Sequence, residues 1–289
     1  MFTAMVARRK GSSPLWRGPT FTRCWSGPNM KTETRVNILD TPLDALSFGE
    51  TVERARTSII TGNTTQQVSM NVAKLVKMRT DKVLREDVLS SDIISADGVG
   101  IVWASKFLGI SGVQRVAGVD LMFAILELCA NEGYRPYFLG ARPEILSRAI
   151  QSALARWPSL KVAGAHHGYF KNHEEESVLD DILSAHPDCL FIAMPTPRKE
   201  RFLAQHRTHL NVPYIMGVGG SLDIVAGKVT RAPHWMQHAG LEWLYRVLQE
   251  PRRMWWRYTS TNAAFAALMV TALMRSARAK LRKQHAHQN

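Results

Sequence analysis

Several signatures that would sort this chain into an easy class are missing. Only three of its 289 residues are cysteine, and Cys24, Cys129 and Cys189 stand far apart in no CxxC or metal-ligand spacing. That excludes a disulfide framework and fits a reduced compartment. No Asp-x-Asp, Walker or Gly-x-Gly-x-x-Gly pattern occurs, so the usual carboxylate pair for a metal-bound nucleotide diphosphate is absent, as are the commonest nucleotide-binding turns. No run approaches the roughly 20 apolar residues that span a bilayer. The longest, residues 263–274, would make a helix of about 18 Å against a hydrocarbon core of about 30 Å. It cannot cross alone but can lie in an interface. No apolar stretch of the kind that drives secretion follows the start.

Acid is scarce at both ends. Residues 1–35 carry a net +6, residues 36–227 a net −2 and residues 228–289 a net +9, which total the formal charge of +13. A near-neutral body with two basic ends argues against a uniformly basic nucleic-acid packaging protein and for localised anionic partners. With 45% hydrophobic and 21% charged residues the chain is globular in composition. Residues 1–35 mix Arg, Gly, Ser and Pro without periodicity and read as a disordered basic arm.

From Val36 onward short apolar runs alternate with helical periods. Strands are predicted at 36–39, 67–70, 92–95, 136–139, 160–163, 189–193 and 213–217; helices at 49–60, 71–78, 100–108, 120–131, 143–157, 174–185, 197–209 and 222–226. This alternation predicts an α/β fold, Rossmann-like parallel sheets flanked by helices, over 36–227, with a helical Arg-rich appendage and tail over 228–289. Ligands in such sheets sit beyond the carboxyl ends of the strands. Residues just after each strand are therefore the candidates: Asp40, Ser69 to Asn71, Asp97-Gly98, Gly140 to Arg142, Gly168 to Phe170, Pro195 to Pro197 and Gly217 to Gly220.

Each has a plain alternative. Asp97 is delivered by an apolar strand onto a glycine turn, which suits a general base whose pKa is raised by desolvation, but spacing alone favours an N-cap of the next helix. Asn71 is a cap or a sugar ligand. Arg115 reaches a phosphate with its planar fork, or pairs with Asp120. The run Gly217 to Gly220 can cradle an anion, though weakly as a signature. His166 and His167 would face opposite sides of a strand, which makes a metal site there improbable. Residues 226–258 interleave tryptophans with Arg246, Arg252, Arg253 and Arg257, on a helix starting near His234 and closed by Pro251. Such a segment neutralises a diphosphate or lies at a membrane–water boundary. Residues 263–274 form an apolar helix, followed by five Lys/Arg and no acid; this fits an anionic leaflet.

Eight segments in order, Ser-x-Asn at 69–71, ADGVGIVWASKFLG at 96–109, RVAGVDL at 115–121, YFLGARPE at 137–144, HHGYF at 166–170, TPRKE at 196–200, GVGGSLDIVAGKVTRAP at 217–233 and GLEWLYRVLQEPRRMWWRY at 240–258, resemble the WecG/TagA/CpsF glycosyltransferases, glycosyltransferase family 26. The resemblance covers about residues 36–258. It implies an inverting transferase with no cofactor and no divalent metal, peripheral on the inner face of a bacterial cytoplasmic membrane. Its partners would be a UDP-sugar donor, a polyprenyl-diphosphate-linked acceptor and the anionic membrane surface; homo-oligomerisation is left open. The products implied are exopolysaccharide, capsule or related surface polymers, with a wall-polymer or common-antigen N-acetylmannosaminyl or uronic acid transferase as the alternative.

By resemblance Asp97 occupies the general-base position, which overturns the cap reading, and Ser69 and Asn71 stand beside the acceptor or donor sugar. Arg115 matches an arginine near the donor. Gly168 and Tyr169 match the uridine-contacting segment. Gly140, Lys199 and Glu200 join the substrate contacts, and Arg246, Arg253 and Arg257 the diphosphate clamp. Two departures stand out: Lys199 replaces the family's usual Gln, an amide exchanged for a cation that only donates, and Trp256 stands where a third arginine is common. A basic nucleic-acid-binding protein and a Rossmann oxidoreductase are the rival readings. The neutral body and the missing dinucleotide fingerprint count against them, and no nucleic-acid partner is expected.

Overall fold

A hairpin of β1 (Arg35–Ile38) and β2 (Thr41–Asp44) opens the part of the chain described by the computed structural model, residues 35–286. Ser47 and Glu50 then form a reciprocal capping box that starts α1 (Phe48–Thr61), and Gly62 ends it with a positive φ. Next come β3 (Thr65–Met70), α2 (Val72–Lys77), α3 (Lys82–Leu89), β4 (Ile93–Ala96), α4 (Val99–Phe107) and α5 (Gly118–Glu132). The remainder of the core is β5 (Pro136–Gly140), α6 (Pro143–Arg156), β6 (Gly164–His166), α7 (Glu175–Ala185), β7 (Cys189–Ala193), α8 (Arg198–Leu210), β8 (Tyr214–Gly217) and α9 (Ser221–Val225). After it follow α10 (His234–His238), α11 (Glu242–Gln249) and α12 (Pro251–Ala286).

Strands β3 to β8 make one sheet in the order β4-β3-β8-β7-β5-β6, parallel at every pairing. All carboxyl ends therefore fall on one edge, and the predicted α/β class is the one observed. The central strands are buried along their length because helices cover both faces, so they read as continuous apolar runs. One apolar cluster joins α1, α5, α6 and α9 to the sheet, another joins α7 and α8 to its opposite face, and a third gathers the hairpin, α2, α3 and α4 around β3 and β4.

The structure departs from the sequence reading in four places. β6 follows the predicted strand at 160–163 rather than occupying it. At this edge Gly164 is needed because a Cβ there would lie 2.6 Å from the Tyr137 ring, and a glycine gives no hydropathy signal. β2 and α3 were not expected; Pro42 and the four charges of α3 dilute their patterns. Asp40 sits in the hairpin turn with a φ of 52° and pairs with Arg79, because its strand belongs to the hairpin and not to the parallel sheet. Finally, no helix runs from His234 to Pro251. Gly240, with a φ of 72°, separates α10 from α11, and Pro251 opens α12 rather than closing its predecessor, a position where its missing N–H costs nothing. The apolar stretch 263–274 is the middle of this 36-residue helix. Among the described residues no helix is long and apolar enough to cross a membrane.

Candidate active site

Along the carboxyl edge of the sheet lies a cavity of about 1400 Å³. Ser69, Asn71, Asp97, Arg115, Tyr169, Lys199 and Arg246 all contribute to its wall, although they come from widely separated parts of the chain.

Asp97 leaves β4 with its N–H bound to the Met70 carbonyl at 2.9 Å. It does not cap α4, whose N-cap is Gly98 without a side-chain bond. Its Oδ1 instead accepts the Gly118 N–H, at the start of α5, at 2.7 Å. A Cβ on Gly118 would lie 3.1 Å from Ser69 Oγ and 3.8 Å from Asp97 Oδ1, so the bare glycine lets the strand ends and the helix start close on one another. Burial raises the Asp97 pKa above the usual carboxylate value, against the pull of the Gly118 N–H and the Arg115 charge. The result is a positioned carboxylate of enhanced basicity. Asn71 does act as a cap, its Oδ1 accepting the Lys74 N–H at 2.9 Å, while still lining the cavity. Ser69 Oγ accepts from Gln67 at 3.3 Å.

Beneath the floor is a buried charge cluster. Glu200 Oε1 is shared by Lys74 Nζ at 2.9 Å, Lys199 Nζ at 3.4 Å and the Thr196 hydroxyl at 3.1 Å. Burial and the neighbouring Lys74 lower the Lys199 pKa to about 8, with Glu200 pulling the other way. Burial works to raise the Glu200 pKa, but the two lysines prevail and hold it at about 2. Lys199 lies under the glycine run, since a Cβ on Gly217 would meet its Cε at 2.7 Å. Glu200 itself is fully buried and holds the lysines rather than facing the cavity.

Over the opposite side lies the C-terminal segment. Arg115 contacts Glu242 of α11 and donates to the Gln237 and Asp97 carbonyls, both at 3.3 Å. The alternative pair with Asp120 is not made, because Arg231 takes Asp120 in a two-pronged contact and also approaches Glu242 at 3.4 Å. This Asp120–Arg231–Glu242–Arg115 chain ties α11 to the core. α11 in turn places Arg246 directly above the glycine run, its Nη1 3.3 Å from where a Gly220 Cβ would be.

On the β5 side Tyr169 is exposed and stands by Arg142, whose pKa it raises. Gly140 and Gly168 stand behind this wall as packing positions: a Cβ on Gly140, whose φ is 126°, would lie 2.5 Å from the Ala193 carbonyl carbon, and one on Gly168 would lie 3.0 Å from Gly140 Cα. Arg253 and Arg257 belong to α12, but their side chains lie outside the described residues. His166 and His167 do not diverge; their rings are 4.6 Å apart because β6 ends at His166 and strand alternation stops there. Among the described residues no cluster of three or more His, Cys, Asp or Glu side chains is arranged to hold a metal. Spacing gave no sign of Lys74, Arg231 or Glu242, whose partners are all tertiary.

A parallel sheet with a cavity at its carboxyl edge, a basic carboxylate in its wall and an arginine over a glycine run suits a group-transfer enzyme. The chain belongs to the WecG/TagA/CpsF family of glycosyltransferases, whose family model matches residues 36–279. It is also similar to N-acetylglucosaminyldiphosphoundecaprenol N-acetyl-beta-D-mannosaminyltransferase of Bacillus spizizenii, at 34% identity over 204 residues, covering 70% of this chain and 76% of that one.

Proposed function

We propose that this glycosyltransferase moves a sugar from a UDP-sugar onto a polyprenyl-diphosphate-linked saccharide, with inversion, in the synthesis of an exopolysaccharide, capsule or related surface polymer. The observation that carries the reading is the Asp97 carboxylate, fixed by Gly118 and made more basic by burial, in one cavity with Arg246 above the glycine run. The acceptor hydroxyl gives its proton to Asp97 as its oxygen bonds to the anomeric carbon from the face opposite UDP. The bond from that carbon to the diphosphate breaks, and UDP leaves with the electron pair. Arg246, joined by Arg253 and Arg257 of the same segment, offsets the charge that develops on the leaving diphosphate. Ser69 and Asn71 position the sugars, Tyr169 meets the uridine, and Arg115 holds the segment over the donor.

A specific observation favours the second reading, transfer of an N-acetylmannosaminyl group: the activity for which the Bacillus spizizenii relative is named. A screen of UDP-glucose, UDP-N-acetylmannosamine and its uronic acid against a lipid-diphosphate saccharide tests both, with the anomeric configuration of the product read by NMR. Inversion from one of these donors is expected; retention of configuration would sink Asp97 as the base.

The outward side of α12 presents Trp255, Trp256, Val270, Leu273 and Met274 to solvent, with Arg275 and Arg278 beyond. Exposed tryptophans, an apolar face and a basic end suit an anionic membrane surface on the cytosolic side. Flotation with anionic liposomes checks this; binding that persists after Trp255 and Trp256 are both replaced by alanine, and in high salt, would overturn it.

A further inference from the structure

The cavity is chemically two-ended. Toward β5, β7 and β8 its wall carries Arg142, Lys199 and the glycine run, whereas between α2, α4 and α12 Val72, Val76, Val99, Trp103, Tyr258 and Phe265 predominate, with Lys77, Thr261 and Asn262 among them. The three helices meet closely there. A Cβ on Gly100 would lie 2.7 Å from Val72 Cγ2 and 4.0 Å from Phe265 Cε1, so Gly100 lets α4 approach both neighbours. Leu268 and Met269, one turn beyond Phe265, pack on the same cluster as α4, which fixes α12 along this edge.

From that end the apolar surface continues outward. Trp103 follows Gly100 by three residues and lines the cavity while remaining 50% exposed; Phe107 follows it by four on the same side of α4 and is 70% exposed. The folded core leaves both rings in water, although Ile101, Val102 and Ala104 of the same helix are buried. Asn71 and Asp97, where the acceptor hydroxyl would react, line the same cavity.

We propose that this apolar end and the Trp103–Phe107 stripe form a subsite for the first isoprene units of the acceptor lipid. The inference rests on the proposed reading that the acceptor is polyprenyl-linked. It explains why one cavity carries basic groups at one end and mostly aliphatic and aromatic groups at the other: the donor diphosphate occupies the first, and the hydrocarbon leaves by the second. The saccharide and its diphosphate bridge the two, so chain and reacting hydroxyl are held by one rigid set of helices.

The test uses the full chain without any bilayer. Acceptor saccharide diphosphates bearing a methyl group, a ten-carbon prenyl chain or a twenty-carbon prenyl chain are titrated calorimetrically below their micelle concentrations, and KM is measured on the same series. Affinity for the ten-carbon acceptor is expected to exceed that for the methyl one by roughly tenfold. Replacing Trp103 and Phe107 together by alanine should remove that gain. Both rings are exposed, so the fold should survive, which a thermal melt verifies. Chain-independent binding by the native protein, or a gain that survives the double substitution, would overturn the subsite. A gain that appears only with liposomes would overturn it too, assigning the two rings to the bilayer instead. Chain-dependent binding with no sugar transfer from any donor would support the subsite while rejecting the reading of the reaction.

Discussion

The floor of the cavity and the segment that covers it are built on opposite principles. At and beneath the floor, Asp97, Lys74, Lys199 and Glu200 are set by strand ends and helix starts of the core; the last three are buried, and Asp97 is half-buried in the cavity wall. The cover, α10 to α12, buries Met236 and Val247 among its described residues, and is held to the core by the Asp120–Arg231–Glu242–Arg115 chain of charges and by Phe265, Leu268 and Met269. Chemistry that needs a tuned pKa is thus placed on strand ends and helix starts of the core. The charge that meets the leaving group is placed on a segment tethered by a chain of ion pairs and a few apolar contacts. The general lesson is that a perturbed carboxylate requires an over-determined site, whereas a phosphate clamp requires only reach and charge.

The comparison breaks first at Asp97. Asp97→Asn keeps the shape and removes the base, so turnover should fall by about 10³-fold while UDP affinity, measured calorimetrically, stays within about twofold. Near-normal turnover would show that the floor does not supply the base. Glu200→Gln would leave Lys74 and Lys199 facing each other in a buried space; a loss of about 3–5 kcal/mol in denaturant unfolding is expected. A loss below about 1 kcal/mol would mean the floor is as solvent-relaxed as the cover. Arg246→Ala should cost roughly 10²-fold in kcat/KM and weaken UDP binding, with no more than a small change in unfolding midpoint. A large stability loss there would make the cover part of the core.

A pH profile sharpens the contrast more gently. Asp97 must be ionised to act and its pKa is raised, so the acid limb should lie above that of an ordinary carboxylate. An alkaline limb near 8 is expected as Lys199 loses its proton, and Lys199→Gln should remove it. Stability carries its own signature of this group. The folded pKa of Lys199 lies below its ordinary 10.5, so the unfolded chain binds the proton more tightly, and the Lys199 contribution should favour folding increasingly from about pH 8 to 10.5. For Glu200, held at about 2, the slope has the same sign in a lower window: its contribution is present above the unfolded carboxylate range and lost as the pH falls toward 2. Unfolding curves across pH for the native chain and for Lys199→Gln separate the two.

Much of the scaffold was legible in the linear pattern because buried parallel strands are apolar on both faces. The runs at 136–139, 189–193 and 213–217 lie on β5, β7 and β8 to within a residue. β6 and α3 were less legible, since an edge strand begun by a glycine and a short helix with four charged residues carry weak periodicity. At the site, Asp97 was visible as an acid on a glycine turn after an apolar strand. The partner that tunes it was not, because Gly118 lies 21 residues further on and acts through its backbone.

What the sequence determined by itself, then, was the alternation that makes a parallel sheet, the motif order that marks the family, and the uneven charge that sets a neutral body against a basic end. Those are local or additive properties, written residue by residue. Only the tertiary structure decided that Glu200 is a buried counter-ion, that Arg115 binds Glu242 and not Asp120, and that Pro251 begins a 36-residue helix. Each of these depends on which groups compete for one another across the fold, and that competition is settled by packing and desolvation, not by neighbours in the chain.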